Sequence, residues 1–257
     1  MKYFSRHRST WLAILASAAS VALWFSIPSE RWGGRLWAVG SSVCHQIPSH
    51  SITIAGLQFP ICARCAGLYL GSLIGLLNFA TRGKNNGLPK RHFLYLLFVL
   101  LMAWAGDGIN SFISDLINQP LLYETSNLSR LATGFGMGLV MSVALTTLFN
   151  IVIWQNAEHQ PVLQSGWQLL VYAGFSFVAG SALWFASLPV FRFLSTLSIL
   201  TILGVISMLY TVFWVIVLKK ENLFTSWQML SPYLIAGFAT ALAQVWLLNF
   251  IRLRFLG

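Results

Sequence analysis

The stretch CHQIPSHSITIAGLQFPICARCA, residues 44–66, holds all three cysteines of this 257-residue chain: Cys44, Cys62 and Cys65. Three thiols and the imidazole of His45 make a complete tetrahedral set for zinc, and C-x-x-C is the usual paired arm of such a site. In the first turn of a helix both arm sulfurs can face one ion. The helix N-terminus, with Pro60 well placed for its start and Arg64 beside the thiols, favours the thiolate that a metal needs. Cys44 and His45 are harder to combine, because neighbouring side chains in extended backbone point opposite ways. Both on one ion requires a turn. Otherwise Asp107 or a water serves as fourth ligand, and His45 becomes a group supporting the site or a general base. His45 and Asp107 are therefore the catalytic candidates, and Cys44, Cys62, Cys65 and His45 the metal candidates.

The same residues suit two other chemistries. A C-x-x-C at a helix start beside a cation is also a reactive dithiol, with Cys44 as resolving partner. The plainest alternative is a structural zinc or disulfide staple that pins the segment before Cys62 to the rest of the chain.

The elements that position these residues lie in a membrane. Hydrophobic residues make up 57% of the chain and charged residues 9%, against about 25% charged in an ordinary soluble domain. Seven apolar stretches of membrane-crossing length fall at roughly 10–27, 61–81, 92–117, 130–154, 166–188, 191–218 and 226–250. Without a ten-residue alternating pattern they predict helices, so the fold class is all-α, a polytopic transmembrane bundle of about seven helices. Lys2, Arg6 and Arg8 precede the first stretch in the outline of a signal peptide, but the apolar run continues well past its small residues, which predicts a retained helix. The chain is expected to form one transmembrane domain over 1–257. Residues 40–140 carry the motifs, 28–60 form a long loop with Cys44, and 155–257 add further helices. Within the loop, SITIAGLQF alternates like a short strand or re-entrant segment.

With the N-terminus inside, Lys2, Arg6, Arg8, Arg82, Lys84, Lys90, Arg91, Lys219 and Lys220 gather on the inner side. Arg31, Arg35, Arg130, Arg192, Arg252 and Arg254 gather outside, a modest bias that places the cysteine cluster on the outer side of the membrane. The net charge of +10 suits attachment to a lipid bilayer with acidic headgroups. No basic patch interleaved with aromatics occurs in a soluble segment, so nucleic acid is not an expected partner.

Topology gathers the unusual polar residues at one end. Cys44, His45 and His50 follow the first span, and Cys62, Arg64 and Cys65 open the second. Asp107, Asn110, Ser111 and Ser114 fall at i, i+3, i+4 and i+7 in the third span, a single polar stripe. Asn127 and Arg130 stand just before the fourth. An ionisable residue inside a membrane helix marks a functional site with a partner, and Arg64 and Arg130 are the partners available to Asp107. The plain alternative is that this pair only holds helices together. Gly67, Gly71 and Gly75 in the second span, and Gly134 and Gly138 with Ser142 in the fourth, are spaced to let those two helices pack closely.

CHQIPSHS, GLQFPICARCAGLYLG, GDG and ETSNLSRLATG, in that order over residues 40–140, closely resemble the signatures of a prokaryotic membrane-protein family known as domain of unknown function 2085. Asn110 departs from the glutamine often found near that position. The resemblance implies that Cys44, His45, Cys62, Arg64, Cys65, Asp107, Asn127 and Arg130 are the family's recurrent polar positions; it supplies no reaction.

Three functions fit these residues. In a membrane-embedded metalloenzyme, zinc activates water or polarises a carbonyl or phosphoryl oxygen, while Arg64, Asn127 and Arg130 hold an anionic, phosphate-bearing or lipid-like substrate. In an ion or lipid carrier or channel, the cluster is the outer binding site and Asp107 an intramembrane relay. The scarcity of charge in the last three spans counts against that. In a thiol–disulfide protein the cysteines cycle, although three cysteines cannot supply two separate pairs.

Overall fold

The computed structural model describes residues 2–26 and 34–255. Eight helices occur among them: α1 (Lys2–Ser26), α2 (Gly34–Ser41), α3 (Ala63–Ala80), α4 (Arg91–Ile117), α5 (Asn127–Ile153), α6 (Gly166–Trp184), α7 (Leu188–Val217) and α8 (Trp227–Phe255). Helices α3 to α8 are each long and apolar enough to cross a membrane. The seven expected spans are all helical, and the fold is an all-α polytopic bundle. The small β content is two pairs: β1 (Thr53–Ile54) antiparallel to β2 (Leu57–Gln58), and β3 (Asn85–Gly87) parallel to β4 (Glu158–Pro161). The first pair is the strand-like signal of SITIAGLQF.

Two boundaries differ from the sequence reading. The expected loop over 28–60 contains α2, whose eight residues are too few to show a helical period; residues 27–33 lie outside the described residues. The fourth span starts at Asn127 rather than near 130. Ser126 accepts from the Ser129 amide at 3.1 Å, and Ser129 Oγ accepts from the Ser126 amide at 3.2 Å. This reciprocal cap satisfies amides that a helix end leaves orphaned. Asn127 and Arg130 therefore sit in the first turn of α5, not in a loop before it.

The chain divides into two compact units. One comprises the chain up to Val43, Leu148–Ala157 and the chain from Ile202. Within it Phe149, Ile153, Trp154, Val215 and Leu230 build a buried cluster, and Asn249 of α8 donates to the Ala38 carbonyl of α2 at 2.8 Å.

The other unit, Cys44–Thr147 with Glu158–Thr201, carries every candidate residue. Its core joins Phe79, Phe93, Leu97, Leu139, Val143, Leu163 and Tyr172. Helices α3 and α5 meet backbone to backbone. A Cβ on Gly67 would collide with the Leu131 carbonyl oxygen, and one on Gly134 with the Arg64 carbonyl oxygen. Small residues permit this approach in lipid, where van der Waals packing drives helix association. The glycine ridges meet as their spacing predicts, and the contact sets Arg64 and Arg130 on neighbouring turns.

Candidate functional site

Cys62 caps α3 in extended conformation (φ −65°, ψ 161°), so its thiol stands outside the helix while Cys65 lies one turn in. Cys44 reaches them from the loop. Its sulfur accepts from the Cys62 amide at 3.1 Å and from the Gln46 amide at 3.5 Å. All three thiols are free.

The turn that Cys44 and His45 require is present at Gln46, whose φ of +56° lies in the left-handed region. A non-glycine residue there costs about 1–3 kcal/mol and persists only when its surroundings hold it. Here the Gln46 amide group donates to the Pro60 carbonyl at 2.8 Å, and its own carbonyl accepts from Gln58 at 2.9 Å. The turn leaves His45 Nδ1 3.9 Å from Cys44 Sγ. One ligand atom each from Cys44, His45 and Cys62 lies within 4.8 Å of the others. Donors about 2.3 Å from a shared tetrahedral ion stand about 3.8 Å apart, so the spacing suits a metal.

The sulfurs hold their protons unevenly. The neighbouring Cys44 and Cys65 thiols hold the Cys62 thiol below its ordinary pKa. The same proximity to Cys62 pushes the Cys44 thiol up. The backbone amides aimed at Cys44 Sγ oppose that rise, as donors to a negatively charged sulfur do.

Two residues outside the sequence-based site set complete this end. His50, buried in the short 3₁₀ turn Pro48–His50, has Nδ1 3.2 Å from His45 Nε2. Its own Nε2 is 3.3 Å from the half-exposed Asp115 carboxylate on α4. Burial pushes the His50 pKa down. The signal for Asp115 was available: it extends the α4 stripe to i+8 from Asp107.

Beside the sulfurs lies a charge network. Arg64 Nε donates to Asp107 Oδ2 at 3.1 Å, Arg64 Nη2 donates to the same oxygen, and Nη2 also reaches the Asp107 carbonyl at 3.0 Å. Tyr123 Oη donates to Asp107 Oδ1 at 2.7 Å, and Thr133 Oγ1 to Oδ2 at 3.4 Å. Tyr123 is placed by the stripe itself. Asn118 closes α4 in left-handed conformation, then Ser114 and Asn110 accept the amides of Leu121 and Leu122. Asn110 also donates to the Tyr123 carbonyl at 2.9 Å. The sequence reading missed Tyr123 because only this fold-back brings it to Asp107.

Of the two arginines available to Asp107, Arg64 takes the ion pair. Arg130 turns to neutral groups: Ser111 at 2.9 Å, Thr125 at 3.0 Å and Asn127 at 3.2 Å. It is 6% exposed, its Nε has no hydrogen-bond partner, and no carboxylate is within ion-pair distance among the described residues. Asn127 donates to the carbonyls of Ser49 and Ser51, so its amide ties α5 to the cysteine loop. On another side of α5 a hollow of about 680 Å³ opens between α4, α5 and α6, lined by apolar groups such as Leu100, Phe135 and Phe177. None of the site residues lines it.

Comparison with known proteins covers this same part of the chain. The family model described as predicted membrane protein DUF2085 matches residues 44–144, from the first cysteine into α5. An uncharacterized protein of Methanocaldococcus jannaschii is 32% identical over 121 residues, 47% of this chain and 72% of the relative. An uncharacterized protein of Methanothermobacter thermautotrophicus is 24% identical over 111 residues, 43% of this chain and 91% of the relative. No solved structure matches. The resemblance carried by the cysteine, arginine and asparagine motifs is thus met along its length, and the chain belongs to the DUF2085 family of predicted membrane proteins.

Proposed function

We propose that this integral membrane protein holds a zinc ion between Cys44, Cys62, Cys65 and His45 at the outer face of a prokaryotic plasma membrane, and binds an anionic, phosphate-bearing ligand beside it through Arg130. The observation that carries the metal is the meeting of Cys44, His45 and Cys62 within 4.8 Å, with Cys65 one turn into α3 from Cys62. Four protein donors close the coordination sphere, and zinc then contributes folding energy by clasping the loop to α3. A buried guanidinium without a counter-charge is costly, and an anion supplies what Arg130 lacks. Arg82, Lys84, Lys90 and Arg91 stand around the opposite ends of α3 and α4 from Cys62 and Asp107, which supports the outer placement of the cysteines.

The metalloenzyme is the second reading, favoured by the three-donor set of Cys44, His45 and Cys62. With Cys65 outside the donor set, the ion would keep an open position and supply Lewis acidity to a bound carbonyl or phosphoryl group. Asp107, already engaged by Arg64 and Tyr123, then orients Arg64 rather than accepting a proton.

The test is elemental analysis with a thiol count on the detergent-purified chain. About one zinc per chain, with thiols that react only after chelation, supports the proposal. Metal-free protein with a disulfide overturns it in favour of the redox reading. Cobalt substitution separates the two metal readings. A tetrahedral spectrum of three thiolates and one imidazole indicates the closed centre; loss of one thiolate contribution with added water indicates the open one.

A further inference from the structure

We infer that the hollow between α4, α5 and α6 is a binding site for a lipid-soluble quinone, whose ring carbonyl accepts from the Ser176 hydroxyl and whose hydrocarbon tail fills the remaining apolar space. The site is separate from the cysteine end, and the inference stands whether or not a metal binds there.

An orphaned hydroxyl carries the inference. Other serines inside these helices return their proton to the carbonyl one turn back: Ser72 to Leu68 at 2.7 Å, Ser195 to Phe191 at 2.7 Å and Ser198 to Leu194 at 2.9 Å. Ser176 of α6 does not. It is 8% exposed, its Oγ has no hydrogen-bond partner, and it lines the hollow. The Tyr172 hydroxyl, one turn away in the same wall, already gives its proton to the Phe135 carbonyl at 2.6 Å. An unpaired hydroxyl is costly to bury, and an acceptor arriving in the hollow removes that cost.

Depth and lining narrow the ligand. The 19 residues of α6 span about 28 Å, close to the thickness of a hydrocarbon core. Ser176 lies about 15 Å from the start of that helix and about 12 Å from its end, so the acceptor sits near the bilayer midplane. The ester carbonyls of a glycerolipid stay at the interface, and such a lipid brings only a bare chain to this depth. A quinone carries its carbonyls on a ring that itself enters hydrocarbon. The walls suit a flat ring: Phe135, Phe177 and Trp184 offer aromatic faces among Leu100, Leu131 and Leu139. The volume of about 680 Å³ and the apolar lining with few polar groups are those of a small-molecule site. A docked helix fits less well. Helices in lipid approach one another through small residues, and the glycines of these walls are already covered, Gly136 by Leu100 and Gly180 by Phe135.

The experiment uses the full chain in lipid nanodiscs and a photoreactive azidoquinone as label. Labelling is expected on peptides of α5 and α6, and excess decyl-benzoquinone is expected to suppress it. Decylbenzene, which has the tail and ring but no carbonyl, is expected to compete about 3- to 10-fold less well, the worth of one hydrogen bond. Ser176→Ala is expected to weaken the quinone by that same factor and to leave decylbenzene unchanged. Ala173→Trp, which fills the hollow from an exposed position in its wall, is expected to abolish labelling. Equal competition by the two probes on the native protein overturns the inference and leaves the hollow to plain lipid chains. Unchanged quinone competition in Ser176→Ala, labelling only outside α4, α5 and α6, or no labelling overturns it as well. A crosslinked dimer that shuts out the quinone assigns this face to a second copy of the chain instead. Thermal unfolding without probe identifies a variant that fails to fold, and the two competitors on the native protein then decide.

Discussion

Arg64 at the start of α3 and Asp107 in the middle of α4 hold each other twice, through the carboxylate and through the Asp107 backbone carbonyl. The Asp107 side chain is 1% exposed and the Arg64 side chain 15%. This pair crosses between two helices, and Thr133 adds a third helix to it.

Removing one partner leaves the other charge buried, which costs about 3–5 kcal/mol. Arg64→Met and Asp107→Ala are each expected to lower the unfolding temperature in detergent strongly. The double variant Arg64→Met/Asp107→Leu is expected to lose much less than the sum, because no charge is stranded. An additive double variant would show that the two groups act independently.

Tyr123→Phe removes one donor from the same carboxylate. Because Tyr123 is 45% exposed, the loss at neutral pH is expected at about 0.5–1.5 kcal/mol, the range for an ordinary hydrogen bond. Donation to Asp107 raises the Tyr123 pKa above the ordinary tyrosine value. A raised pKa contributes stability that is complete below the unfolded value, about 10, and vanishes as pH rises through the folded one. The native protein is therefore expected to lose stability more steeply than Tyr123→Phe above about pH 10. Parallel thermal-unfolding curves for the two proteins would contradict this.

Glycines on these helices are expected to split by environment. Gly67→Val drives a side chain into the Leu131 carbonyl, where backbone cannot yield, and overpacking costs typically 1–3 kcal/mol or more. Gly106 in α4 faces open space, so Gly106→Ala is expected to be neutral or to gain up to about 1 kcal/mol of helix propensity. Thermal unfolding of the two variants checks the contrast.

Chelation should loosen a defined segment. With the metal withdrawn, residues 44–61 keep the Gln46–Pro60 and Asn127 hydrogen bonds but lose the clasp at the sulfurs. Hydrogen exchange is expected to rise most over 44–52 and little in the buried turns of α3 and α5. Uniform acceleration across α3 would mean that the metal supports the whole helix instead.

The helices and the convergence of the motifs were legible because each rests on period or order in the sequence. Apolar runs of span length give the helices, and alternating span direction brings Cys62, Asp107 and Arg130 to one end. The glycine spacing gave the α3–α5 contact for the same reason. Sequence patterns do not encode side-chain choice between equivalent partners. Arg64 rather than Arg130 pairs with Asp107 because the backbone contact at Gly67 and Gly134 fixes both helices, and Arg130 then finds Ser111 and Thr125 nearer. The meeting of Cys44 with His45 depends on one left-handed residue, Gln46, and glutamine carries no signal for that conformation. Tyr123 enters through a helix C-cap at Asn118, decided by tertiary geometry, whereas Asp115 continues the α4 stripe.

The glycine contact also limits how this end of the molecule can move. Where two helices touch along their backbones, axial sliding would drive carbonyls into one another, so α3 and α5 travel as one strut. The backbones that carry Arg64, Cys65 and Arg130 are therefore held at a fixed spacing by that contact. Helix α4 meets the strut through side chains instead, Phe93 and Leu97 in the shared core and Asp107 and Ser111 in hydrogen bonds, and it carries Asp107, Tyr123 and Asp115 as a single tray. A swing of α4 would separate Asp107 from Arg64 and Asp115 from His50 in the same stroke, so access to the buried cations and release of the His45 ring are mechanically one event.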